Sequence, residues 1–253
     1  MENRLVQLMR EALRRNDNSL VGVVMNFLLR WPDTSFRDET VLHPQSRDDL
    51  MYAKAVFDED TPTPKESDCI ELCLEQHKRG RKVIVYTTYT GKHDTMTRLK
   101  GFLSDKGLRV AVLRSNVKTD EREDWIADKV EQGVDVLITN PELVKTGLDL
   151  LWFPTLYFMQ TGVNTYTLEQ AARRSWRIGQ KNDVEVYFAC FEQTSQTKCL
   201  ALMSNKIKVS QSTSGVMPET GLDVFEEESD NSILFEIAKD LVQANDKQGK
   251  LDF

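Results

Sequence analysis

Histidine and cysteine are scarce in this sequence, three and four in 253 residues, which leaves little material for metal or nucleophile chemistry. The histidines, at 43, 77 and 93, make no Ser–His–Asp arrangement and read as structural; only His93 falls in a loop at a sheet edge. Cys69, Cys73 and His77 are spaced i, i+4, i+8, which places them on one helical stripe. A zinc site needs a fourth ligand and loop-like spacing. The stripe is therefore expected to face a core, with no metal bound. Cys190 and Cys199 show no pairing pattern and read as reduced thiols. Long apolar runs are missing too: none approaches the roughly 20 residues of a membrane span. The opening "MENRLVQLMREALRR" breaks its apolar positions with charge and has no signal-peptide core. There is no internal repeat and no low-complexity tract. A globular cytoplasmic protein without membrane contact is expected.

Positive charge is not in excess. Of 40 acidic and 33 basic side chains, ten acidic and three basic lie from Glu219 onward, leaving 30 of each over residues 1–218. The body is neutral and the tail carries the net charge of -7. Such a body has no global field for nucleic acid, so any binding must be local and directed at the backbone.

Helical periodicity marks the first sixty residues. Leu5, Leu8, Met9, Ala12 and Leu13 keep a 3.6-residue period, and "SLVGVVMNFLLRW" is apolar enough to pack on both sides. "WPDTSFRDETVLHPQS" is rich in turn formers and reads as a loop. Thr63 and Glu66 make a capping-box pair with Pro64 at the first helical position, predicting a helix to about Arg79, stopped by Gly80. Strand and helix then alternate. "KVIVYTT", "RVAVLR", "DVLITN", "TLYFMQ" and "VEVYFACF" are short apolar runs of the kind that buried parallel strands show. Helices are expected over 93–105 and 120–132, with one turn at "PELVKTG". "TLEQAARRSWRIGQ" is expected to form a helix capped by a Thr167–Gln170 box, and "SQTKCLALMSNKIK" the helix that closes the unit. The fold class is α/β: a parallel sheet with helices on both faces. Three segments follow: helical 1–62, the sheet domain 63–213, and 214–253 as acidic linker and terminal helix.

Working residues of such sheets lie on loops at the carboxyl ends of strands. Here those loops hold small hydroxyl and amide residues beside helix N-termini, which suit phosphate but equally serve as caps. "TGKHD" resembles the end of a Walker A loop, but Tyr86 stands at the first glycine position and His93 at the Ser/Thr position. No strand ends in an Asp–Glu pair suited to magnesium. In "TLEQAARRSWRIGQ", Gln170, Arg174 and Arg177 fall at i, i+4, i+7, one face of a continuous helix, with Arg173 turned away. Guanidinium groups in a row suit the charge that develops in phosphoryl transfer; they also suit a solvated surface.

"QAARRSWRIGQ" resembles motif VI of the Snf2-like superfamily 2 helicases, which runs roughly Q-A-x-D-R-x-x-R-I-G-Q. Gln170, Ala171, Arg174, Arg177, Ile178, Gly179 and Gln180 match in register. "GRKVIVYTTYT" resembles motif IV, and "TNPELVKTGLDL" resembles motif V, with Asp149 in place of asparagine. Arg122 lies where the family carries an arginine between those motifs. The resemblance covers about residues 65–213 and implies a second RecA-like lobe. Its implied partners are duplex DNA and an N-terminal RecA-like lobe that holds ATP and Mg²⁺, the implied cofactors. Arg177 would then be an arginine finger with Arg174 beside it. Gln170, Gly147 and Asp149 would line the nucleotide, and Thr87, Thr88, Thr139 and Asn140 would meet the DNA backbone. Without a Walker A loop or DExx box in this sequence, the implied lobe would not hydrolyse ATP alone.

Departures are visible. Arg173 replaces the usual acid, Trp176 a frequent histidine, and "QTGVNTY" the usual D-x-x-W-N-P. They point to a divergent bacterial or phage-like branch. Two rival expectations are a stand-alone interaction module whose acidic tail docks or mimics DNA, and a nucleotide-binding transferase, which would lack its glycine-rich fingerprint.

Overall fold

The computed structural model describes residues 2–89, 91–144, 148–160, 162, 164–213 and 234–241. In chain order, α1 (Glu2–Arg14) and α2 (Ser19–Thr34) precede β1 (Glu39–Leu42) and β2 (Asp49–Ala53). Next come α3 (Pro64–Lys78), β3 (Val83–Tyr86), α4 (Met96–Asp105), β4 (Val110–Leu113) and α5 (Arg122–Glu131). The series ends with β5 (Val136–Thr139), β6 (Thr155–Phe158), α6 (Thr165–Arg173), β7 (Glu185–Phe188) and α7 (Ser195–Thr213). A last helix covers 234–241. The chain divides into two compact units, Pro62–Cys190 and the combination of Met1–Thr61 with Phe191–Phe253.

In the first-named unit the five strands form one parallel sheet in the order β4-β5-β3-β6-β7. Every residue of β3, β5 and β6 is buried, as their unbroken apolar runs predict. One face packs Val83, Val85, Val136, Ile138 and Tyr157 against α3 and α4, through Cys69, Ile70, Cys73, Met96, Leu99 and Leu103. On the other face the Tyr86 hydroxyl donates to the Ala171 carbonyl of α6 at 3.3 Å. Helices therefore cover both faces. The cysteine stripe does face the core, and His77 ends it at the surface with Nδ1 3.1 Å from Asp135.

Helix α3 starts as its sequence dictates. Glu66 N–H donates to Thr63 Oγ1 at 3.3 Å and Thr63 N–H to Glu66 Oε2 at 2.8 Å, a closed capping box contributing about 1 kcal/mol. The same buried Glu66 accepts from Arg98 of α4 at 2.9 Å. One carboxylate thus both starts α3 and ties it to α4.

The other unit contains a departure from the expected loop after α2. β1 and β2 pair antiparallel, Thr40 with Tyr52 and Val41 with Met51. Turn formers lie before β1, at 35–38, and between the strands, where His43 N–H donates to the Asp48 carbonyl at 2.8 Å and His43 Nδ1 accepts from Ser46 N–H. Val41, Met51 and Ala53 are buried, so each short strand alternates inward and outward. Helix α7 joins this unit: Gln196 Nε2 donates to the Leu29 carbonyl at 2.8 Å and to Asp33 at 2.7 Å. The division at Cys190 therefore falls ahead of α7, where the sequence pattern carried the sheet domain to 213. In the helix over 234–241, Leu234, Ile237, Ala238 and Leu241 are buried at i, i+3, i+4, i+7, the apolar face expected of it. The expected linker falls outside the described residues. No described helix is long and apolar enough to cross a membrane.

Candidate functional site

Parallel register brings three strand ends together: Tyr86 of β3 lies opposite Thr139 of β5 and Phe158 of β6. The residues just beyond these ends form a polar shelf. Thr87 N–H donates to the Thr139 carbonyl at 2.9 Å, Thr88 N–H to Gln160 Oε1 at 3.1 Å, and Asn140 Nδ2 to the Thr88 carbonyl at 3.4 Å. The Thr88 bond orients the Gln160 amide so that its Nε2 is free to donate. Gln160 Nε2, Thr87 Oγ1 and Thr88 Oγ1 are buried and make no hydrogen bond among the described residues. Buried donors of this kind cost about 1–3 kcal/mol each unless an acceptor arrives.

Beside the shelf, Asn140 accepts from Glu142 N–H and so caps a short 3₁₀ turn, Pro141–Leu143. Arg122 holds that turn by donating to the Leu143 carbonyl at 2.9 Å. Thr167 on α6 donates to Glu142 Oε1 at 2.7 Å. The cap of α6 is Asn164, whose side chain accepts from Thr167 N–H at 2.9 Å. The Thr167–Gln170 box expected from spacing is therefore not the start of this helix: Asn164, an equally good cap three residues earlier, takes that place.

The helix also ends early. α6 stops at Arg173, Arg174 is its C-cap, and Trp176 and Gln180 N–H groups reach back three residues in tight turns. Gly179 adopts φ +103, which only glycine enters readily. Gln180 then staples the turn, donating to the Leu151 and Ser175 carbonyls at 3.0 Å each. The row Gln170, Arg174, Arg177 on a single helical face is thus not formed. A turn, not a helix, places the arginines.

The turn separates their roles. Arg174 is 6% exposed, and its carbonyl accepts from Leu150 N–H at 3.1 Å. Burial and then the charge of Arg177 hold its guanidinium below the usual arginine range, with Asp149 pulling the other way. Arg177 has 45% of its side chain exposed and forms an ion pair with Asp149. Trp176 and Ile178 flank it and are exposed, Ile178 completely. Arg173 pairs with Glu169 on the helix surface.

Residues 64–179 match the family described as helicase conserved C-terminal domain. This stretch is similar to the C-terminal lobe of superfamily 2 helicases. RNA polymerase-associated protein RapA of Actinobacillus pleuropneumoniae serotype 5b (strain L20) is 28% identical over 159 residues, 60% of this chain and 16% of RapA. The ATP-dependent helicase YqhH of Bacillus subtilis (strain 168) is 28% identical over 138 residues, 54% of this chain and 24% of that protein. The chain thus spans less than a quarter of each relative's length. The C-terminal part of the Fun30 ATPase domain shares the fold, with TM-score 0.54 at 18% identity over 74% of this chain and 57% of that one.

Within this stretch, the residues expected to meet a nucleic acid divide by depth. Thr88 and Asn140 are half-buried at the shelf's rim, whereas Thr87 and Thr139 are fully buried. The Thr139 hydroxyl is already used, donating to the Leu113 carbonyl at 3.2 Å. Of the expected nucleotide residues, Asp149 reaches Arg177, Gln170 lies half-buried on α6, and Gly147 falls outside the described residues. Gln160, Glu142 and Thr167 hold the same strand ends and α6 together and were not among the expected site residues. Gln160 could have been found as the polar residue that ends an otherwise apolar strand run.

Proposed function

We propose that this chain supplies the second motor lobe of a Snf2-like ATP-dependent translocase on duplex DNA. ATP, held with Mg²⁺ by an N-terminal RecA-like lobe, would supply the phosphoryl group. The observation that carries the reading is the unequal arginine pair beside one carboxylate. Two guanidinium charges face a single Asp149, so an incoming phosphate end relieves their repulsion. Arg177 is exposed enough to reach it and to donate to oxygens as charge develops there. Arg174, buried and fixed through its carbonyl, positions the turn and adds field rather than contact. Gly147 and Asp149 would lie along the nucleotide, with Gln170 orienting α6.

At the shelf, Thr88, Asn140 and the Gln160 amide would donate to a DNA phosphate. Contact through a few fixed donors agrees with a body of balanced charge. It also gives backbone binding without sequence choice.

The test is to combine the chain with an N-terminal lobe bearing a Walker A loop and a DExx box, and to measure DNA-stimulated ATP hydrolysis. The chain alone should hydrolyse no ATP. In the combined protein Arg177→Ala should lower kcat by about 10³-fold or more while ATP affinity stays nearly unchanged. Equal losses in both would remove the finger role, and hydrolysis by the chain alone would overturn the reading.

A further inference from the structure

The outer edge of the sheet at β4 carries a feature that the arginine turn and the shelf do not use. β4 pairs only with β5, and among the described residues no strand flanks its other side. An edge strand presents unpaired N–H and C=O groups along its free side. Here that edge lies in an open groove of about 610 Å³ between α4 and α5. Half-buried Val110 and Val112 form part of its floor.

Its charge is of one sign. Lys100 stands on the α4 bank and Lys129 on the α5 bank, while Arg109 and Arg114 mark the two ends of β4; no acidic side chain lines the groove. The arginines are anchored. Arg114 donates to Asp94 at 2.7 Å, and Arg109 donates to the Gln132 carbonyl at 3.3 Å. Gly133 makes that second placement possible: its φ is +78, and a Cβ there would lie 2.3 Å from Arg109 Nη1. The lysines have no carboxylate partner among the described residues. Lys129 sits 5.6 Å over the Trp125 ring and donates to Gln132 Oε1.

We propose that this edge binds an acidic, extended segment of a partner protein, which adds to the sheet as a strand beside β4. Main-chain groups along the floor complement another main chain, Val110 and Val112 offer apolar contact to its side chains, and the cations around the groove complement acidic ones. A nucleic acid backbone fits less well. Its phosphates form one row, whereas these cations stand on both banks of a line of peptide groups. The reading is independent of the motor assignment, because none of its residues lies on the arginine turn or the shelf.

The test uses the full chain and a fluorescent peptide of alternating glutamate and valine, titrated by anisotropy at low salt. Saturable binding is expected. It should weaken about tenfold or more in Lys100→Glu/Lys129→Glu, and be lost when alternate peptide nitrogens are methylated. Lys129 is half-buried over Trp125, so Lys100→Glu alone, at an exposed residue, should keep the parent's unfolding curve and still weaken binding. Three results would overturn the proposal: no binding of the peptide, leaving the lysines as guards of a bare edge; binding of an oligothymidylate in its place with the same loss in the double variant; or peptide binding seen only after residues 219–253 are deleted, which would make the chain's own acidic end the occupant.

Discussion

Arg177 and Asp149, 28 residues apart, form an ion pair on the surface while Arg174 lies buried beside them. In the proposed reading, Asp149 holds Arg177 until a phosphate takes its place. An exposed pair of this kind contributes about 0–1 kcal/mol, so it is easily exchanged for a stronger anion.

Asp149→Asn should therefore leave the midpoint of urea unfolding nearly unchanged. It should raise the affinity of the chain for inorganic triphosphate several-fold at low salt, read by isothermal titration. An unchanged affinity would mean that Arg177 is not restrained by Asp149.

Gln160→Glu keeps an acceptor for Thr88 N–H but replaces the Nε2 donor with negative charge. Duplex-DNA affinity of the combined two-lobed protein should fall about two- to tenfold. The new carboxylate is buried without a cation, so thermal stability should fall as well, and affinity is compared at a temperature where the variant stays folded. Loss of stability without loss of DNA affinity would assign Gln160 to the sheet alone.

The buried Glu66–Arg98 pair makes a stability prediction. Arg98→Ala strands a carboxylate that is 3% exposed and should cost about 3–5 kcal/mol in urea unfolding. Glu66→Gln with Arg98→Met should cost less than the single change, because no unpaired charge remains. A larger loss in the double variant would contradict the account of α3 and α4.

Cys69 and Cys199 are thiols that resist ionisation. Burial pushes the Cys199 pKa from 9.0 to about 12, and the hydrogen bond with Cys73, followed by burial, raises that of Cys69. Their folded pKa values lie above the unfolded ones, so the folded state holds more protons in between. The stability they contribute is complete below pH 9 and is lost as pH rises through about 12 for Cys199. Native chain at pH 8 should leave both thiols unalkylated by iodoacetamide, and urea-unfolded chain should label all four cysteines, as counted by mass spectrometry.

The sheet was legible because each strand of a doubly covered sheet must be an unbroken apolar run, and "VIVY", "VLIT" and "TLYF" cannot be amphipathic helices. The start of α3 was equally plain, since Thr63, Pro64 and Glu66 each satisfy a helix terminus in a different way. The β1–β2 hairpin was hidden by its own shortness: "ETVL" and "DLMYA" sit in turn-rich sequence and hold only two or three inward side chains. The path of motif VI was misjudged for a different reason. Arg174 and Arg177 have the spacing of a helix, but the turn they adopt is imposed by Gly179 and by Gln180 reaching residues near Leu151, contacts that no local pattern contains.

Tyr86 gives these separate sites a mechanical consequence. Its carbonyl accepts from Met159 and Gln160, and its hydroxyl donates to Ala171. One rigid aromatic side chain thus bridges the shelf and the helix that leads to Arg174. A load applied to the backbone at the shelf has a route to α6 through Tyr86. The stiffness of that link sets how much of a displacement at one end arrives at the other, and filling the core behind Tyr86 differently would change the gearing without touching either set of donors.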